Sequence, residues 1–98
     1  VRTVAEDELW LSMNYRQDSV AFHFSWVRAW PAVEATLRVL EEALAPFSPR
    51  PHWGKLFVMD AAAVQDRYPR LGDFRALARR LDPDGKFRNA FLDTYVFG

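Results

Sequence analysis

The chain has 98 residues, half of them hydrophobic and 15% aromatic, which excludes a disordered or collagen-like polymer and fits at most one domain burying roughly 65% of its extended surface. Thirteen basic and thirteen acidic residues cancel, leaving no net charge to draw the protein to a nucleic-acid backbone or an anionic membrane. Cysteine is absent, which excludes disulfides, thiol catalysis and zinc–thiolate sites.

Val1 opens the chain without an initiator methionine and leads into a strand-like run, Val1-Arg2-Thr3-Val4-Ala5. Natural domains usually begin with a short polar tail, so residues 1–98 are expected to be a single partial domain of something longer. Asp18, after Tyr15-Arg16-Gln17, suits a turn, and a strand is predicted from Ser19 to Val27. There Val20, Phe22, Phe24 and Trp26 alternate with Ala21, His23, Ser25 and Val27, the period of two of a pleated strand. The first set is apolar and the second mixed, so His23 and Ser25 are expected to point the same way, one strand repeat apart.

Pro31 suits a first helical turn, where its missing N–H costs nothing, and the spacing predicts a helix to about Ala45. Val33, Leu37, Leu40 and Leu44 mark its buried stripe, with Glu34, Arg38, Glu41 and Glu42 on the wet side. Breakers crowd the loop from Pro46 to Gly54. Leu56 to Met59 reads as a short strand, and Asp60 as the cap of a short helix through Ala61–Val64. A second amphipathic helix follows Pro69, carrying Leu71, Phe74, Leu77, Ala78 and Leu81 on one face, and Asp82-Pro83-Asp84-Gly85 stops it. The tail from Phe87 to Phe97 is rich in large apolar side chains and must dock. Strands and helices without a regular β-α-β rhythm predict an α+β class: an antiparallel sheet with amphipathic helices packed on one side.

Few polar residues stand where apolar ones are expected. His23 sits between Phe22 and Phe24 with Ser25 beyond it; its alternatives are a core histidine bonded to a carbonyl, or a base lining a pocket. A Ser–His nucleophile pair is excluded, because no Gly-x-Ser-x-Gly elbow surrounds Ser25. Arg50-Pro51-His52-Trp53-Gly54-Lys55 packs three cations and an indole around two breakers, either as a solvated turn with Trp53 tucked into the core or as a stiff loop that aims side chains. One glycine and no following helix make a poor phosphate loop. His23 and His52 are the only histidines, and neither has a carboxylate at ligand spacing, so no metal is expected. Trp10, Trp26, Trp30 and Trp53 are expected in the core. No apolar run approaches the ~20 residues that span a bilayer, and no signal peptide opens the chain. A soluble, cytoplasmic protein with no nucleic-acid or membrane partner is expected.

The loop and its surroundings resemble a known family. Pro51-His52-Trp53-Gly54-Lys55, then Tyr68-Pro69-Arg70-Leu71, then Leu81-Asp82-Pro83-Asp84-Gly85-Lys86-Phe87-Arg88-Asn89 are similar to the C-terminal end of the sugar-alcohol and aldonolactone oxidases, flavoenzymes of the vanillyl-alcohol-oxidase class. Together with Arg2-Thr3-Val4 and Ala21-Phe22-His23-Phe24-Ser25-Trp26, they look most like the alditol (xylitol) oxidase branch. The resemblance covers essentially the whole chain. It implies the last part of a cap domain whose partner is an N-terminal FAD-binding domain absent from residues 1–98, so the chain alone is expected to be inactive. The family's acid-x-arginine motif would place its acid just before Val1.

The family's chemistry implies oxidation of a polyol's terminal hydroxyl to an aldehyde, with FAD as cofactor and O2 reduced to hydrogen peroxide. The resemblance also implies residue roles: His23 as base for the hydroxyl proton, Lys55 bonded to the reacting hydroxyl, and Arg2 beside substrate and the flavin pyrimidine edge. Ser25 would bind a substrate hydroxyl, and His52 would pack against the flavin ring. The alternatives are an aldonolactone oxidase on the same scaffold, or a non-catalytic module binding a polyol or a protein.

Overall fold

A computed structural model describes residues 1–98. Strands β1 (Arg2–Val4) and β2 (Ser19–Ala21) pair antiparallel, with Arg2 opposite Ala21, Thr3 opposite Val20 and Val4 opposite Ser19. The predicted strand to Val27 ends at Ala21. Arg2 already pairs with Ala21, so only Val1 remains to face Phe22, and a longer ladder has no partner in this chain. The alternation is real, but alternation alone does not make a strand.

The connection from Ala5 to Asp18 is organised by Asp7. Its N–H donates to the Asn14 carbonyl at 3.1 Å, and its carbonyl accepts from the Arg16 N–H at 2.9 Å. Its carboxylate accepts from the Leu9 N–H and the Ser12 hydroxyl. Asp18 accepts from the Glu6 N–H at 3.0 Å, closing the connection on the other side. Tyr15 is buried within it.

Helix α1 (Trp30–Leu44) has Pro31 in its first turn and buries Val33 and Leu37, with Leu40 and Leu44 half-buried. The stripe follows the sequence pattern, but two carboxylates of the expected wet side, Glu34 and Glu41, are not fully exposed. Glu41, expected in water, is half-buried and its Oε1 accepts the Val58 N–H at 2.7 Å. Leu56–Met59 is therefore no strand: it lacks a ladder, and a carboxylate satisfies one of its amides. A 3-10 turn (Ala45–Phe47) and Ser48, at φ 51°, end α1.

Helix α2 (Ala61–Asp66) starts where its cap predicts: the Asp60 carboxylate accepts the Ala63 N–H at 2.8 Å. Helix α3 (Leu71–Leu81) buries Leu71 and half-buries Phe74, Leu77 and Ala78. Asp82 then accepts from the N–H groups of Lys86 and Phe87, and Gly85 takes the left-handed φ of 67° that glycine adopts without strain. A single helical turn, α4 (Ala90–Leu92), runs into a π-helical turn (Asp93–Phe97).

The core lies among these C-terminal helices. Val64, Tyr68, Leu71 and Val96 are fully buried together, with Trp53, Phe57, Tyr95 and others packed around them. The tail does dock, through Leu92, Tyr95, Val96 and Phe97, whereas Phe87 is 84% exposed. Of the four tryptophans only Trp53 packs against the core; it, Trp10 and Trp26 are half-buried, and Trp30 is 48% exposed. The result is an α+β arrangement of a two-stranded antiparallel sheet and four helices. No helix is long and apolar enough to cross a membrane.

Candidate functional site

The structure places the sequence-predicted residues in two groups. Arg2 lies on β1 opposite Ala21, the last paired residue of β2, and His23 and Ser25 follow two and four residues after Ala21. All three are exposed. His23 and Ser25 lie beyond the last paired residue, so they extend from the sheet rather than sit on its face. Between and after them, Phe24 and Trp26 stack with ring centroids 5.5 Å apart and planes at 25°, as side chains two residues apart on extended backbone do.

His52 and Lys55 form the second group. The Lys55 N–H donates to the His52 carbonyl at 3.0 Å, closing a four-residue turn, and the Gly54 N–H donates to His52 Nδ1 at 3.0 Å. That second bond makes Nδ1 an acceptor and leaves the proton of the neutral imidazole on Nε2, pointing the ring's donor away from its own backbone. Lys55 is exposed and has no carboxylate partner. The turn therefore offers a ring N–H and an ammonium, both unspent.

What fixes the turn is less visible in the sequence. Trp53 Nε1–H donates to the Leu11 carbonyl at 2.8 Å. Its ring lies 4.9 Å from that of Tyr68 and meets Phe91 edge-on. Arg50 is not a solvated cation: its guanidinium donates to the carbonyls of Arg67 at 2.9 Å, Tyr15 at 2.8 Å and Met13 at 3.3 Å. Its charge also lies 5.4 Å from the Tyr68 ring centroid. Tyr68 is 3% exposed and its hydroxyl has no partner. Burial pushes that phenol up to about 12, against the opposing pull of the Arg50 charge. Composition marks Arg50 only as one of three cations in its run, and gives neither it nor Tyr68 a role, because their partners are backbone carbonyls and rings distant in sequence.

No hydrogen bond or ion pair joins the two groups directly. They are connected through the Ala5–Asp18 segment, which links β1 to β2 and whose carbonyls Trp53 and Arg50 hold.

Residues 1–95 match the D-arabinono-1,4-lactone oxidase family. The chain belongs to that family. It is 62% identical over all 98 residues to an alditol oxidase of a Streptomyces species, covering 24% of that protein. It is 38% identical over 93 residues to an L-gulono-1,4-lactone dehydrogenase of Mycobacterium tuberculosis, covering 93% of this chain and 21% of the relative. An L-gulonolactone oxidase of Scyliorhinus torazame is 31% identical over 100 residues, covering 99% of this chain and 23% of the relative. The chain thus spans about a quarter of the length of the curated relatives it matches.

Proposed function

We propose that this chain is the substrate-side segment of an FAD-dependent oxidase that converts the terminal hydroxyl of a sugar alcohol to an aldehyde. The observation that carries this reading is the 62% identity to an alditol oxidase across the whole chain. An aldonolactone substrate is the second reading, favoured by the matched family and the two lactone-named relatives.

The chain fits a flavin as one wall rather than as a cradle. Two open clefts on it, about 350 Å³ beside Thr3 and Ser19 and about 150 Å³ beside Asp82 and Arg88, are lined by none of the candidate residues. Those residues instead stand exposed, with donors unpaired, as groups facing a flat ring from one side would. A bound flavin would supply the acceptor for the hydride of the alcohol carbon and the route by which the electrons reach O2.

The chain's own residues divide the remaining work. Lys55 donates to the reacting hydroxyl and offsets the negative charge that develops on its oxygen. His23 takes the hydroxyl proton. Ser25 and Arg2 bind further hydroxyls of the substrate, and Arg2 would also offer positive charge to a bound flavin. His52, whose ring orientation is held by the Gly54 bond, would present its Nε2–H to the flavin.

In the full-length protein, Lys55→Met is expected to lower turnover by about 10²-fold or more, the scale set by removing one preorganised donor at a developing oxyanion. Unchanged flavin absorbance and melting temperature would show that the loss is chemical. Near-normal turnover would remove Lys55 from the site. Turnover on a polyol panel beside an aldonolactone panel, with peroxide measured, separates the two substrate readings.

A further inference from the structure

We propose that Arg50 is the positioning residue of this site: its guanidinium clamps the His52–Lys55 turn to the Ala5–Asp18 connection and so fixes Lys55 relative to Arg2 and His23. This rests on the reading of Lys55 given above. Arg50 immediately precedes Pro51, whose ring fixes the backbone entering the turn. From there the side chain reaches three carbonyls on two separate segments, Met13 and Tyr15 of the connection and Arg67 at the end of α2. On the far side of His52, the Trp53 indole bonds Leu11 of the same connection. The turn is thus gripped on both sides of the histidine, and both grips end on the segment that joins β1, which carries Arg2, to β2, which leads to His23.

Only arginine suits this position. Three carbonyls in two directions need a fork of several fixed donors, whereas a lysine presents a compact point charge. The guanidinium also rests by the Tyr68 ring, which the Trp53 ring meets as well. Without the fork, the turn keeps its internal bonds between His52, Gly54 and Lys55 but loses its fixed relation to the hairpin. An error of about 1 Å between groups that act on one substrate can cost roughly 10²-fold in rate.

The experiment is a double-mutant cycle in the full-length protein, with Arg50→Met, Lys55→Met and both together, plus Arg50→Lys, followed by steady-state kinetics and amide hydrogen exchange. Arg50→Met is expected to lower kcat by about 10-fold to 10²-fold while KM rises far less. In the Lys55→Met background the same change is expected to cost less than about threefold more, because the residue it positions is gone. Arg50→Lys is expected not to restore the rate.

Exchange at residues 50–55 and 11–15 is expected to quicken in Arg50→Met, with α3 unchanged. Losses that multiply through the cycle, rescue by lysine, unaltered exchange at 50–55, or quickening that extends equally to α3 would each overturn the clamp. Near-normal turnover in Lys55→Met alone would instead overturn the role of Lys55, and the exchange result would still accept or reject the clamp.

Discussion

Tyr68 joins the packing of this chain to its site, and it does so at a cost. Its ring is one of four fully buried core members and meets both Arg50 and Trp53, yet its hydroxyl is buried without a partner, an arrangement that costs about 1–3 kcal/mol. The same burial raises its pKa from 10.0 to about 12. The folded protein therefore holds a proton that the unfolded chain releases above pH 10. Its contribution is intact below pH 10 and is lost as the pH climbs from 10 towards about 12. Tyr68→Phe keeps the ring and removes the hydroxyl. In the full-length protein its stability at neutral pH is expected to equal or exceed the parent's by up to about 1 kcal/mol. Its alkaline melting curve is expected to fall less steeply. A loss above about 2 kcal/mol at neutral pH would mean that a group outside these 98 residues bonds the hydroxyl.

Among the elements, α2 depends most on a single side chain. Six residues are far too few for a helix to persist by propensity, and Asp60 satisfies the amide of Ala63 at its start. Asp60→Ala is expected to cost about 1 kcal/mol, and Asp60→Asn only a few tenths, read from denaturant midpoints. The larger loss also loosens the end of α2, where the Arg67 carbonyl receives Arg50. This cap was legible in the sequence, as were α1, α3 and the Asp82–Gly85 turn, because caps and helical periodicity are properties of contiguous residues. Strands were legible only in part. Alternation from Ser19 to Val27 tells which way each side chain faces, but a ladder needs a partner strand, and β1 supplies one only as far as Ala21. The apolar run at Leu56–Met59 misled for the same reason. At the site, the breakers marked the His52–Lys55 turn, while the role of Arg50 stayed hidden. Its acceptors lie 17, 35 and 37 residues away and are carbonyls that any residue type would provide. The roles proposed for Arg2, His23 and Ser25 rest on family resemblance; the pattern alone leaves His23 open between a core histidine and a base.

At the scale of the whole molecule, surface area is the decisive quantity. A free-standing protein of 11.4 kDa is expected to expose about 5,800 Å², whereas this chain exposes 7160 Å². Its radius of gyration, 14.7 Å, likewise exceeds the roughly 12.6 Å of a compact domain of this length. Phe22, Phe24, Trp30, Phe47 and Leu56 all stand substantially exposed, three of them close to His23 or Lys55 in sequence. An excess of about 1,400 Å² on one partner is more than the ~800 Å² per side of a standard interface and matches a permanent one. The curated relatives, about four times longer, have enough further chain to cover it. Expressed alone, residues 1–98 are therefore expected to bind an apolar dye strongly and to sediment above the monomer mass. In the full-length protein the same aromatics should be protected from hydroxyl-radical footprinting. A monomeric, dye-silent 98-residue protein would show that the hairpin and α1 close over these side chains on their own. The surface would then be a face for a separate ligand rather than the inner wall of a larger enzyme.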